Sequence, residues 1–299
     1  MQRVFVTGAN GFVGQYLVEA LLTEGYFVVG SGRGASRMPQ HERFVYCPLD
    51  LTRPDDMHVA LLQHQPDCIV HCAAISKPHE CETDRLAAML INLEATRLLL
   101  QEAEILKAFF IFLSTDFVFS GEKEIYSEED DTAPVNYYGY TKERAEAEVR
   151  NYQGNWSIVR TILVYGKPLG SRQNLLTTVA AGLRKGQQLK IFGDQVRTPT
   201  FVGDLVKGIC AIIEKRAQGI FHLSGKDVRT PYQMAVEVAN YLGFDVELIT
   251  QVSEREFHQP ARRPPRTVFD LTRAANELDY RPVSFEQGLR STFSDKKIV

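Results

Sequence analysis

Tyr138-Gly139-Tyr140-Thr141-Lys142 places a tyrosine four residues before a lysine. On a helix that spacing puts the two side chains next to each other on one face. A free phenol ionises near ~10 and exchanges protons poorly at neutral pH, but a neighbouring ammonium stabilises its phenolate. A phenol tuned in this way is a general acid or base, a role that contributes roughly 10²–10⁴-fold to rate. Upstream, the apolar run Phe109–Leu113 ends in Ser114-Thr115-Asp116. A hydroxyl there would stand at the C-terminal edge of a parallel strand, where open α/β sheets place their ligands.

A second constellation lies close to the N-terminus. The run Val4-Phe5-Val6 leads into Thr7-Gly8-Ala9-Asn10-Gly11-Phe12-Val13-Gly14, a G-x-x-G-x-x-G turn that opens a helix. Glycines make the turn tight and let the backbone approach a pyrophosphate, which the unpaired N–H groups of the helix start can hold. The strand–turn–helix context makes Gly8, Gly11, Phe12, Val13 and Gly14 a dinucleotide site. An NAD-preferring site usually carries a carboxylate about 20 residues further on, bonded to the ribose 2′-hydroxyl. The stretch Val29-Gly30-Ser31-Gly32-Arg33-Gly34-Ala35-Ser36-Arg37 has none. Arg33, helped by Ser31 or Arg37, could instead hold a 2′-phosphate, so NADP is expected over NAD.

The elements that must position these groups follow from the pattern. Short apolar runs at Val4–Val6, Phe27–Val29, Cys68–Val70, Phe109–Leu113 and Trp156–Leu163 alternate with helical segments. The helices are expected over about 14–23, 84–103 and 138–151. This alternation predicts βαβ units and a doubly wound parallel α/β sheet. After Gly166 the pattern loosens: 170–172, 193–200 and 258–266 read as loops, with sheet-like pieces at Thr200–Val202 and Ile220–Leu223. The expectation is a dinucleotide-binding domain made of 1–166 and about 198–224, with a smaller mixed α/β substrate lobe made of about 167–197 and 225–299.

Composition narrows the class. The 299 residues are 44% hydrophobic and 24% charged, ordinary for a globular enzyme. Thirty-four Lys+Arg against 37 Asp+Glu give −3, without the basic excess of a nucleic-acid binder. The apolar runs fall far short of the ~18 residues a membrane span needs, and no secretory signal pattern follows Met1. Five cysteines at irregular spacing make no disulfide framework, so a reduced, cytoplasmic protein is expected. Cys68, His71, Cys72, His79 and Cys81 lack paired metal-ligand spacing, and no metal is expected. The run Glu128–Asp131 reads as a solvated loop.

Together these features resemble the extended short-chain dehydrogenase/reductase family over nearly the whole chain. The resemblance implies a Rossmann sheet and roles for further residues. Asp50-Leu51 matches the family's adenine-contacting pair. Ala73 and Ala74, within His71-Cys72-Ala73-Ala74, stand beside the cofactor, and Asn92 matches a structural asparagine. Thr115 would orient the substrate carbonyl, Tyr138 would donate the proton, and Lys142 would hold the nicotinamide ribose. The family also uses helices like 84–103 and 138–151 in a four-helix dimer interface, so a homodimer is expected.

Ser114-Thr115-Asp116-Phe117-Val118-Phe119-Ser120-Gly121, Arg160-Thr161-x-x-Val164-Tyr165-Gly166, Asp194–Thr200 and the tail from Ala261–Arg266 through Asp270-Leu271 resemble the dTDP-4-dehydrorhamnose reductase branch. That branch reduces the 4-keto group of a deoxyhexose carried on a nucleotide diphosphate, to which Arg262, Arg263 and Arg266 are chemically suited. Three positions depart from its pattern. Phe117 stands where the branch usually has tyrosine, Leu163 replaces a tryptophan, and Pro78, near Ser76, lies in a loop used against the sugar. If Asp116, Phe117 and Leu163 face the sugar, the pocket has lost a hydroxyl and an aromatic surface, which alters which sugar fits. The reading is an NADPH-dependent reductase of a nucleotide-linked 4-keto-deoxysugar. The alternatives are an epimerase or dehydratase of the same fold, or a non-catalytic NADP-binding regulatory subunit similar to the β subunit of methionine adenosyltransferase.

Overall fold

Seven strands build a parallel sheet: β1 (Arg3–Thr7), β2 (Phe27–Gly32), β3 (Phe44–Pro48), β4 (Cys68–His71), β5 (Phe109–Thr115), β6 (Trp156–Thr161) and β7 (Gly219–His222). Their spatial order is β7-β6-β5-β4-β1-β2-β3, with every neighbouring pair parallel. The computed structural model describes residues 2–170, 173–256 and 260–294. Between and after the strands run α1 (Phe12–Thr23), α2 (Pro54–His64), α3 (Pro78–Thr83), α4 (Arg85–Met89), α5 (Ala95–Leu106) and α6 (Tyr137–Asn151). The second half adds α7 (Leu175–Arg184), α8 (Val202–Lys215), α9 (Pro231–Leu242), α10 (Thr272–Leu278) and α11 (Phe285–Thr292).

A parallel sheet needs both faces covered, and the period-two alternation of each strand supplies two apolar faces. Val4, Val6, Val28, Val70, Ile111 and Val159 pack with α1, α8 and α10. Their sequence neighbours Phe5, Val29, Ile69, Phe110, Phe112 and Ile158 pack on the other face with α2, α5 and α6. Each such side chain contributes roughly 1.5–3 kcal/mol on full burial. The strand order reverses between β1 and β4, where Thr7 pairs with His71. That switch point opens a crevice at the carboxyl ends of the strands.

Several expectations need adjustment. β3 and α2 were not anticipated as segments, although Pro54 at the helix start followed by Asp55 and Asp56 is a readable start signal. The helix expected over 84–103 is three pieces: α4, a wide π turn at Leu90–Glu94, and α5. The turn carries Asn92, whose side chain is spent on the loop before α3. Asn92 Oδ1 accepts from Ile75 N at 2.8 Å, and its Nδ2 donates to Ile75 O at 3.1 Å and to Thr141 Oγ1 at 3.0 Å. The strand expected to reach Leu163 stops at Thr161, and Leu163 enters the left-handed region with φ of 38°. Val202 begins α8 instead of ending a strand.

The second half is more ordered than its sequence pattern suggested. Val164–Tyr165 pairs with Thr200–Phe201, Leu189–Phe192 with Ile249–Val252, and Val196–Arg197 with Arg266–Thr267. The residues expected as a loop over 193–200 therefore contribute to two small sheets. Ser171 and Arg172, and His258 and Gln259, parts of the other two expected loops, lie outside the described residues. α7, α9 and α11 share an apolar cluster around Tyr165, Leu176, Met234 and Phe285. α10 does not join them: Ala274, Leu278 and Tyr280 pack in the cluster of α1 and α8. The tail thus returns to the sheet before α11 crosses back. Among the described residues no helix is long and apolar enough to cross a membrane.

Candidate active site

Gly8 adopts φ of +69°, and a Cβ there would lie 2.9 Å from the Ala73 backbone of the neighbouring strand end. Glycine therefore lets β1 turn flush against the end of β4. Gly11 is the N-cap of α1 and offers no capping side chain, and the first intrahelical bond runs from Gln15 N to Gly11 O at 3.0 Å. The N–H groups of Phe12, Val13 and Gly14 are the orphan donors of the helix start, at the positive end of its dipole. All three residues line a cleft of about 530 Å³ together with Gly8 and Gly11. An anion is the natural partner of such a helix start.

Asn10 ties the turn to the loop after β2: its Nδ2 donates to Ala35 O at 2.9 Å and Tyr46 Oη at 2.7 Å, and its Oδ1 accepts from Arg37 N at 2.9 Å. Arg33 and Arg37 are exposed there, with the Arg37 guanidinium reaching Asn10 O at 3.2 Å. Ser31 does not join them, because it is fully buried beneath the turn. Asp50 is partly exposed and held low by Thr52, whose N and Oγ1 donate to it at 3.0 and 2.8 Å. Leu51 is buried in the core behind it.

Across the cleft stand β5 and α6. Asn136 caps α6 by accepting from Gly139 N at 2.8 Å. Gly139 is required by close approach, since a Cβ there would fall 2.1 Å from Phe117 O. The helix thus presses Tyr138 and Lys142 against the end of β5, where Phe117 meets the Tyr138 ring edge-on at 5.7 Å. Lys142 is buried, its ammonium 3.7 Å over the Phe112 ring, and burial pushes it down to about 7 against the opposing pull of Glu146. Thr115 Oγ1 donates to Asp116 Oδ1 at 3.1 Å. Tyr138, Lys142 and Thr115 open into the same cleft as the glycine turn. A phenol beside a buried ammonium, with a hydroxyl opposite, can protonate and orient a carbonyl oxygen.

Ser76, Ala74, Asp116, Phe117, Leu163 and Arg263 are among the other residues that line the cleft. Asp116, Phe117, Leu163 and Arg263 also border an adjoining cavity of about 280 Å³ with Ile191, Phe192, Gln195 and Arg197. Asp116 is buried, which pushes its carboxyl up, while Arg197 Nε at 3.7 Å and Thr267 Oγ1 at 2.5 Å oppose the shift. Ala73 meets the glycine turn, whereas Asn92 lies beneath the cleft and holds its floor. Arg33, Asp50 and Leu51 lie outside the cleft lining.

Gln195 and Arg197 belong to the Asp194–Thr200 motif and Thr267 to the tail motif, where the sequence gives them no individual roles. Glu146 lies outside every motif read above, and it accepts from Ser114 Oγ at 2.6 Å and from Arg160 Nε and Nη2 at 3.0 and 2.7 Å. A glutamate at i+4 from Lys142 was a readable signal. His71 is engaged on both ring nitrogens: Thr7 Oγ1 lies 2.7 Å from Nδ1 and Thr96 Oγ1 3.1 Å from Nε2. Burial holds its ring neutral, down to about 3.

The arrangement has known relatives. The family model described as the RmlD substrate binding domain matches residues 1–298. A probable dTDP-4,6-dihydroxy-2-methyloxan-3-one 4-ketoreductase of Streptomyces antibioticus is 32% identical, covering 98% of this chain and 95% of the relative. The methionine adenosyltransferase 2 subunit beta of Danio rerio is 28% identical over 91% of this chain and 84% of its own length. The crystal structure of a dTDP-4-dehydrorhamnose reductase from Bacillus anthracis in complex with NADP superposes with a TM-score of 0.88 at 28% identity, covering 99% of this chain and all of that one. A whole-chain match of this kind, on a seven-stranded Rossmann sheet with the glycine turn and the tyrosine–lysine helix face across one cleft, places the protein in the RmlD substrate binding domain family of the extended short-chain dehydrogenases/reductases.

Proposed function

We propose that the protein is an NADPH-dependent reductase of a nucleotide-linked 4-keto-deoxysugar. The observation that carries this is the opening of Thr115, Tyr138 and Lys142 into the same cleft as the glycine turn. The cofactor fits the residues present. The side-chain-free surface at Gly8, the orphan N–H groups of Phe12–Gly14 and the exposed Arg33 and Arg37 suit a pyrophosphate and a 2′-phosphate. Asp50, Leu51, Ala73 and Ala74 would border the adenine and nicotinamide ends, with Asn92 supporting that floor. NADPH, when bound, supplies the hydride. Thr115 gives a hydrogen bond to the substrate carbonyl, Tyr138 delivers the proton to its oxygen, and Lys142 holds the ribose and keeps the phenol acidic.

Ser76, Asp116, Phe117, Leu163 and Arg263 are the proposed sugar and diphosphate contacts. Phe117 and Leu163 both line the cleft, which supports the reading that the sugar pocket is less polar than that of a rhamnose-pathway reductase. Screening NADPH oxidation against a panel of nucleotide 4-keto-6-deoxyhexoses tests the reading. Turnover of at least one sugar is expected, with dTDP-4-keto-rhamnose a poor member of the panel. A kcat/KM on that sugar of ~10⁴ M⁻¹s⁻¹ or more would overturn the altered-pocket part and leave the reductase part standing.

The regulatory-subunit reading is favoured by the resemblance to a methionine adenosyltransferase subunit, and NADPH binding with no turnover across the panel would select it. Retention of NAD would select an epimerase. We further propose two lobes, the sheet with α8, β7 and α10 binding the cofactor, and α7, α9 and α11 closing over the substrate. A homodimer is proposed through α4–α6, which leave Leu86, Leu90 and Tyr140 exposed, and a cytoplasmic setting suits such a substrate.

A further inference from the structure

We propose that Glu146 is a positioning residue for the reduction: its buried carboxylate, one turn beyond Lys142, clamps the end of β5 to α6 and supplies the negative charge that Lys142 faces. The proposal deepens the reductase reading and rests on it.

Tyr138, Lys142 and Glu146 recur at intervals of four along α6 and so share one face. Glu146 is completely buried, and three elements meet on its carboxylate. Ser114, the residue before Thr115, donates to Oε1 at 2.6 Å from β5. Arg160 donates from β6 through Nε at 3.0 Å and Nη2 at 2.7 Å, and Arg150 Nη1 reaches Oε2 at 3.4 Å from α6 itself. A carboxylate gripped by a bidentate guanidinium and a hydroxyl is fixed in place. Through Ser114 it holds the strand end that carries Thr115 against the helix that carries Tyr138.

The charge balance gives Glu146 its second role. Lys142 and Arg160 are both buried cations, and Lys142 rests on the Phe112 ring. The titratable groups around Lys142 are Tyr138 and Glu146 on α6, His71 and Cys72 at the end of β4, and Cys81 on α3. Burial keeps His71 neutral and pushes the Cys72 and Cys81 thiols up to about 12 and about 11. Glu146 is the carboxylate of this set, four residues from Lys142 on the same helix face. Burial alone drives Lys142 toward its uncharged form, and Glu146 is the first of the influences acting the other way. Loss of that charge should make Lys142 release its proton at lower pH, and the ammonium that tunes Tyr138 goes with it.

Glu146→Gln in the full chain is read in two independent ways. In the pH profile of NADPH-dependent keto-sugar reduction, the basic limb should move to lower pH by roughly one unit, with kcat down roughly tenfold. In ¹⁵N-lysine NMR, with the signal assigned by Lys142→Arg, the Lys142 titration should move the same way with no sugar present. That second arm stands even if no keto-sugar proves to be a substrate. Glu146→Asp keeps the charge and should return the limb to its wild-type position, while kcat stays reduced. Ser114→Ala keeps the carboxylate but removes its tie to β5. It should lower kcat several-fold with the limb unmoved, and it tests the clamp if Glu146→Gln does not fold. A folded Glu146→Gln protein with both titrations in place, or Ser114→Ala with wild-type kcat, would overturn the proposal.

Discussion

The glycine turn and the β5–α6 face look at each other across one cleft, and they are built in opposite ways. On the β1 side the working groups are backbone N–H donors, exposed by the absence of side chains at Gly8 and Gly11 and by the start of α1. Few titratable groups are involved, and the surface is set once the chain turns. On the β5–α6 side the working groups are side chains, and their properties depend on burial. Burial pushes Lys142 down to about 7 where α6 packs it over the Phe112 ring, and Glu146 meets three donors there. Breaking one partner of such a buried pair costs about 3–5 kcal/mol. A site that binds by shape tolerates changes in its surroundings, whereas a site that moves protons inherits every change in local charge.

Three substitutions probe that contrast. The largest effect is expected from Tyr138→Phe, which keeps the ring against Phe117 and removes the proposed proton donor. Turnover of the true substrate should fall by roughly 10²-fold or more with cofactor affinity nearly unchanged, and steady-state kinetics beside a cofactor titration separates the two. Near-normal turnover would mean that the proton comes from another group.

Gly8→Ala should act in the reverse sense. Its Cβ would press on the Ala73 backbone at a positive φ, so NADPH binding should weaken by roughly tenfold or more and the melting temperature should fall. Intact binding by fluorescence titration would show that the turn yields, contrary to a cradle set by shape. Arg33→Ala should have the smallest effect, because Arg33 is exposed and well solvated. NADPH is expected to bind several-fold tighter than NADH, and the substitution should narrow that gap without changing NADH affinity. Equal affinities in the wild-type protein would remove the basis for the cofactor preference.

What could be read from the chain divides along the same line. The glycine turn is a local constraint within eight residues, and Tyr138 and Lys142 are bound by helical spacing, so both are legible without a structure. The parallel sheet was legible too, because runs such as Phe109–Leu113 are apolar on both faces. The groups that surround the reacting side chains are not local. Thr267 reaches Asp116 across 151 residues, and Arg160 reaches Glu146 from another strand, so neither pairing has a spacing to betray it. In the second half the helix starts carry a local signal: Thr230 with Gln233 and Ser284 with Gln287 each form a capping box. The left-handed turn at Leu163 had no signal, since leucine is not a residue that announces positive φ.

The path of the chain between its two halves also bears on how the protein is made. β7 is the edge strand that covers β6, yet it follows β6 by more than fifty residues and comes after α7 and α8. On the ribosome, the first six strands can pair while β6 still presents a bare edge, with Ile158 and Val159 beside it and α8 not yet emerged to cover its face. An uncapped parallel edge is a template for wrong partners. A fragment ending near Gly166 would carry the whole glycine turn and the tyrosine–lysine helix and still lack its seventh strand, so it should stick to copies of itself instead of behaving as a free cofactor domain.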